Sequence, residues 1–231
     1  MQTEAGRIAL VAGANGMVGG ELLRALASGG DYRRVIALTR RPLPFEAPRL
    51  VNRIIRFENL ATELSGLSCD DAYCCLGTTR RAAGSEAAFR AVDQDLVLRY
   101  AEFARSAGAQ CFVCITSAGA ASASRNFYLR VKGETELALE ALRFRSLQLM
   151  QPSLLLGERA HWRTTEMLGR VFMPLFNPLL LGRLEPWRAI PAATVAAAMR
   201  AAAALGVQGV HRHSWRALQS LARTGRLPLR V

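Results

Sequence analysis

Arg7-Ile8-Ala9-Leu10-Val11-Ala12, then Gly13-Ala14-Asn15-Gly16-Met17-Val18-Gly19, then Glu21-Leu22-Leu23-Arg24-Ala25-Leu26 is the stretch that decides the fold of this 231-residue chain. The first run is short and apolar, as a buried strand is, and the last carries apolar residues at helical spacing. Between them glycine recurs at every third position. A turn with few Cβ atoms lets the chain pass from strand to helix within a few residues. Strand, glycine turn and helix in that order make the first half of a βαβ unit.

The same alternation continues outward from this stretch. Residues 35–39 read as a second strand, 53–57 as a third after a proline-containing loop, 71–76 as a fourth, 110–116 as a fifth and 146–150 as a sixth. Residues 85–107 read as one long amphipathic helix and residues 128–143 as another. After Gln151-Pro152 the pattern is irregular until a helix begins near Pro191, a residue suited to a first helical turn. Residues 209–213 read as a last strand before a C-terminal helix. Parallel neighbours need helical crossovers, so the pattern predicts an α/β protein: a Rossmann-type doubly wound parallel sheet with helices on both faces. Residues 1–231 are expected to form one domain, with residues 157–190 as a small C-terminal cap over the substrate side.

Composition narrows the function. Hydrophobic residues make up 51% of the chain with no biased tract, which fits a globular protein with no linker. The formal net charge of +12 is spread along the whole chain without a dense basic run, so specific nucleic-acid binding is not expected, although basic charge favours anionic ligands. The N-terminal apolar run and residues 171–181, interrupted by Pro174 and Pro178, are too short for a signal peptide or a membrane span. The cytoplasm is therefore the expected location, and residues 171–181 read as a lid or a subunit contact. The cysteines stand at 69, 74, 75, 111 and 114. Strand alternation points Cys111 and Cys114 to opposite faces, so buried reduced thiols are expected instead of a metal or redox pair. His161, His211 and His213 lack an evident carboxylate partner, and no metal site is expected.

In an open α/β sheet ligands bind beyond the carboxyl ends of the strands, where the strand order reverses. There the Gly13, Asn15, Gly16, Met17, Val18 and Gly19 turn brings backbone N–H groups and a helix N-terminus to a pyrophosphate. After the second strand the chain offers Arg40-Arg41, where an acceptor for a ribose 2′-hydroxyl would be acidic. Two guanidiniums suit a 2′-phosphate, so NADP(H) is favoured over NAD(H). Leu76-Gly77-Thr78 leaves the fourth strand, and Gly77 allows close passage of the cofactor.

Ser117 follows the fifth strand, and eleven positions on comes Tyr128, then Lys132. Tyr128 and Lys132 are i, i+4 on one helical face. An ammonium there favours tyrosinate and makes the phenol a better proton donor or acceptor near neutral pH, while Ser117 can stabilise charge on a carbonyl oxygen. Lys132 is the only lysine among the thirty Lys and Arg residues of the chain. A planar guanidinium cannot replace a compact ammonium that reaches both a ribose and a phenol, so the one lysine stands where chemistry requires it.

With these residues assembled, the chain resembles the atypical short-chain dehydrogenase/reductase superfamily, and within it the Tat-interacting-protein-like oxidoreductases and their bacterial relatives. The resemblance rests on Gly13 to Gly19, Arg40-Arg41, Cys74-Cys75-Leu76-Gly77-Thr78-Thr79-Arg80, Val92-Asp93, Ser117, Asn126-Phe127-Tyr128 through Val131-Lys132-Gly133-Glu134, and Gln151-Pro152-Ser153-Leu154-Leu155-Leu156-Gly157. It implies an NADPH-linked fold in which Ser117, Tyr128 and Lys132 are catalytic. It also implies that Lys132, Pro152 and Leu155 contact the cofactor and that residues 154–157 flank its nicotinamide end. Some members of the family act through protein partners. The chain departs from its relatives at Arg56, where an acidic residue is common, which leaves Glu58 or Asn59 to meet the adenine. It departs again at Asp93, near the place of an active-site asparagine in many dehydrogenases, and at Gln151, where arginine is common.

The reading that follows is an NADPH-dependent oxidoreductase acting on a small carbonyl or alcohol substrate, with a homodimer as the expected assembly. The alternative is an NADPH-binding sensor or scaffold that presents residues 172–181 to a partner without turnover.

Overall fold

The computed structural model describes residues 6–156 and 182–228. Seven strands form one parallel sheet: β1 (Ile8–Ala12), β2 (Arg34–Thr39), β3 (Leu50–Ile54), β4 (Asp71–Cys74), β5 (Cys111–Ile115), β6 (Ser146–Met150) and, after a short pair β7 (Leu155–Leu156) and β8 (Ile190–Pro191), β9 (Gly209–His213). Their order is β3-β2-β1-β4-β5-β6-β9. The chain winds outward from β1 to β3, returns to the other side of β1 with β4, and winds outward again. The reversal opens a crevice between the carboxyl ends of β1 and β4.

Helices cover both faces, as the doubly wound reading requires. One face packs α1 (Met17–Ser28) and the two C-terminal helices, α4 (Ala192–Leu205) and α5 (Trp215–Thr224). The other packs α2 (Val97–Ser106) and α3 (Phe127–Ala141). The strands divide between these cores by period two: Ala9 and Val11 lie on the α1 side, and Ile8, Leu10 and Ala12 on the α2 side. Cys111 and Cys114 separate in the same way, into the first and second core. Burial pushes the Cys69 and Cys111 thiols up to about 12 and also raises the Cys75 thiol well above its ordinary value, which keeps them protonated.

Two elements differ from the sequence reading. The third strand spans Leu50–Ile54 and not residues 53–57. It is an edge strand with exposed side chains on both faces, so its ladder to β2 fixes it, from Val35 opposite Leu50 to Thr39 opposite Ile54. Ile55 and Phe57 are buried beyond the strand, in the loop and a 3-10 turn. The long helix expected over residues 85–107 is broken in register. Glu86–Arg90 is α-helical, Ala91–Leu96 is a π-helical turn, and Val97–Ser106 resumes the α-helix. Such turns insert an extra residue and re-aim a side chain. Most of the expected cap, including His161 and residues 171–181, lies outside the described residues.

Candidate active site

The glycine turn is forced by contact distances. Gly13 has φ +81°, and a Cβ on it would come within 2.4 Å of the Cys75 carbonyl carbon and oxygen on the neighbouring β4 exit. A Cβ on Gly19 would lie 2.1 Å from the Gly13 oxygen, and one on Gly16 would lie 3.1 Å from it. The Gly16 N–H donates to the Gly13 oxygen at 3.0 Å, closing the turn. Gly16 caps α1 without any side-chain acceptor, and no acidic residue stands in the first turn. The backbone donors of Met17, Val18 and Gly19 therefore face the crevice with the positive end of the helix, the chemistry that holds a pyrophosphate. On this observation the residues fit a dinucleotide.

Arg40 and Arg41 follow β2 directly, and both are exposed. Among the described residues neither has a carboxylate partner. Asn15 Nδ2 donates to the Arg41 carbonyl oxygen at 3.4 Å, tying the glycine turn to the arginine loop. Leu76, Gly77 and Thr78 leave β4 along the other wall of the crevice. A Cβ on Gly77 would approach Asp93 Oδ1 to 3.3 Å and Lys132 Nζ to 4.0 Å, so Gly77 borders the buried charges.

Helix α3 starts at Phe127, with the Asn126 side chain accepting from the Leu129 N–H. Tyr128 and Lys132 then lie one turn apart on its face. Tyr128 is half-buried, its ring 5.6 Å from that of Phe89, and Lys132 is fully buried. Lys132 Nζ is 2.7 Å from Asp93 Oδ1, and the Thr78 N–H donates to Asp93 Oδ2 at 2.8 Å. Burial works against the Lys132 charge, but Asp93, then Tyr128 and then Cys114 outweigh it and raise the ammonium above its ordinary value. The sequence placed Asp93 near an asparagine position; the π turn is what aims it inward onto the lysine.

Ser117 leaves β5 buried, with its hydroxyl donating to the Ala118 carbonyl oxygen at 3.1 Å, a local bond it would exchange for a ligand oxygen. The Ala118 N–H donates to the Pro152 carbonyl oxygen at 2.9 Å, which sets the β5 and β6 exits side by side. Leu155 lies in β7, paired with Ile190 of β8. The glycine turn, Arg40-Arg41, Leu76 to Thr78, Ser117 and Pro152 thus follow the carboxyl ends of β1, β2, β4, β5 and β6, while Tyr128 and Lys132 stand near the start of α3 and Leu155 in β7. Two neighbours escaped the sequence. Trp187 covers Gly119, where a Cβ would lie 2.9 Å from the indole. Glu136, a turn beyond Lys132, is buried and takes hydrogen bonds from Thr116 Oγ1 at 2.6 Å, Gln151 Nε2 at 2.9 Å and Arg212 Nε at 2.9 Å. Arg212 brings a guanidinium from β9 to this carboxylate. At Arg56 the loop is held by its N–H donating to Glu63 at 3.1 Å.

Known proteins share this fold. Residues 9–139 match the family described as NAD dependent epimerase/dehydratase family. The chain is 36% identical over 196 residues to Protein HTATIP2 of Rattus norvegicus, covering 82% of this chain and 78% of that protein. It is 35% identical over 181 residues to "Protein FMP52, mitochondrial" of Saccharomyces cerevisiae, covering 76% and 78%. Among solved structures, MoeE5 in complex with UDP-glucose and NAD superposes with a TM-score of 0.66 at 17% identity, over 89% of this chain and 74% of that one. That likeness is one of fold.

Proposed function

The chain belongs to the NAD-dependent epimerase/dehydratase family of the short-chain dehydrogenase/reductase superfamily, and on that premise we propose that it is an NADPH-dependent oxidoreductase interconverting a carbonyl compound and its alcohol. The observation that carries the reading is the chain's only lysine, buried one helical turn from Tyr128 at the strand ends that face the glycine turn.

A bound nicotinamide supplies the hydride in this chemistry. The chain's part is to hold and to protonate. The Gly13–Gly19 turn and the α1 N-terminus bind the pyrophosphate. Arg40 and Arg41 select a 2′-phosphate, and Gly77, Thr78, Pro152 and Leu155 line the passage to the reacting end. Lys132 keeps one ammonium N–H toward Asp93 and has two more for ribose hydroxyls. Tyr128 Oη gives its proton to the carbonyl oxygen as negative charge builds there, and Ser117 Oγ donates to the same oxygen. In the oxidative direction the proton moves the opposite way.

The same reading takes the enzyme as a homodimer working in the cytoplasm. No helix among the described residues is long and apolar enough to cross a membrane. Sedimentation and cell fractionation test these two points, and a purely mitochondrial distribution would replace the second.

The test is NADPH and NADH binding by calorimetry, followed by cofactor oxidation with a panel of aldehydes and ketones. Tighter NADPH binding and consumption with at least one carbonyl compound are expected. NADPH binding with no turnover on any of them would favour a sensor, and no binding of either nucleotide would overturn the reading.

A further inference from the structure

Position 93 is offered two donors and no acceptor. The Thr78 N–H reaches Asp93 Oδ2 at 2.8 Å, and the Lys132 ammonium stands 2.7 Å from Oδ1. Among the described residues Oδ1 has no partner apart from that ammonium. A carboxylate meets both donors. An asparagine would accept from one of them and turn its own NH₂ on the other, leaving a buried polar clash. Thr135 Oγ1 of α3 donates to the Val131 carbonyl oxygen at 2.8 Å and stands 3.3 Å from the Asp93 carbonyl oxygen, so α3 packs against the turn that carries the carboxylate.

We propose that Asp93 is the positioning residue of this site, fixing Lys132 and the Leu76–Thr78 loop on a single carboxylate and so setting how much lysine charge Tyr128 experiences. The inference rests on the assignment of Tyr128 and Lys132 as the proton-handling pair. A bare ammonium a turn from the phenol acts as a full positive charge; paired with Asp93 it acts as a dipole whose field falls off faster. The other ionisable groups that face Lys132 are Tyr128 on its own helix and Cys114 on β5, which is buried and neutral. Among the described residues Asp93 therefore supplies the negative charge at Lys132, and its loss strengthens the pull of Lys132 on the phenol. The tie to Thr78 adds a second consequence: movement of the cofactor-lining loop and movement of the lysine are one movement.

Two features of the sequence make this measurable without a substrate. Lys132 is the only lysine, so protein labelled in lysine alone gives one NMR side-chain signal. Of the tyrosines, Tyr32, Tyr73 and Tyr100 are buried and pushed above the ordinary phenol range, which leaves near-ultraviolet phenol ionisation to report Tyr128. In the wild type the lysine signal is expected to keep its ammonium form to higher pH than free lysine. In Asp93→Asn its midpoint falls by about one pH unit or more, and the phenol band moves to lower pH by about one unit.

If the lysine midpoint of the wild type lies at or below that of free lysine, the pairing is wrong, and this result needs no variant to fold. If Asp93→Asn folds and leaves both midpoints in place, Asp93 is a structural residue only. None of these readouts uses a carbonyl substrate or NADPH, so a protein that reduces nothing would refute the oxidoreductase reading while leaving this one standing.

Discussion

Arg212 of β9 donates through Nε to Glu136 Oε2 of α3 at 2.9 Å, joining the last strand of the sheet to the helix that carries Tyr128 and Lys132. Glu136 also receives Thr116 and Gln151, so removing it takes a partner from three donors at the strand ends; Arg212 keeps Glu140 and Thr116 keeps the Met150 carbonyl oxygen. Glu136→Leu is expected to cost about 3 kcal/mol, because buried polar groups lose their partner. Arg212→Leu is expected to cost about 1 kcal/mol, because that side chain is partly exposed and water replaces its bond. Urea unfolding of the two variants checks the order; equal losses would mean the carboxylate is not the hub.

The glycine turn separates two adjacent glycines sharply. Gly19→Ala drives a methyl into the Gly13 oxygen, whereas the nearest atom to a Cβ on Gly20 is 3.6 Å away. Gly19→Ala should lose NADPH binding and stability together. Gly20→Ala should bind as the wild type does and gain up to about 1 kcal/mol from helix propensity. Thermal melts with and without NADPH distinguish them.

Arg40 and Arg41 are exposed cations with no carboxylate partner among the described residues, placed where a 2′-phosphate would lie. Alanine at either is expected to weaken NADPH binding about tenfold, the worth of one charge-assisted bond, and to leave NADH within about a factor of two. Calorimetric titration with both nucleotides reads this directly. Equal losses for both would assign the arginines to something other than the phosphate.

His213 is buried, with Nε2 2.6 Å from Gln148 Oε1. Burial, with His211 as a lesser cause, lowers its pKa to about 4. An unfolded histidine titrates near ~6.5, so protonation favours the unfolded chain. The stabilisation, about 3 kcal/mol in all, is complete above that value and is lost as pH falls toward about 4. His213→Gln should flatten this part of the stability profile. The same slope in wild type and variant would show that other groups produce it.

What could be read from the sequence follows from where burial leaves a pattern. The β1-turn-α1 stretch, β9 at residues 209–213 and the Tyr128–Lys132 spacing were legible because each is a local signal: alternation, obligatory glycine, or an i, i+4 pair. The third strand was misplaced because Leu50–Ile54 lies at the sheet edge with little buried surface, while the apolar Ile55 and Phe57 serve the loop after it. The π turn leaves the amphipathic pattern of residues 85–107 nearly intact, so nothing in the spacing announced that Asp93 turns inward. The partners of Glu136 come from β5, β6 and β9 and meet only once the sheet is assembled.

Whether Tyr128 passes the proton is read by single-turnover oxidation of NADPH by Tyr128→Phe with the carbonyl compound the wild type reduces best. The rate is expected to fall about a thousandfold, with NADPH affinity held within about threefold, because only the reacting hydroxyl is gone. A Tyr128→Phe protein that oxidises NADPH at the wild-type rate would contradict that role.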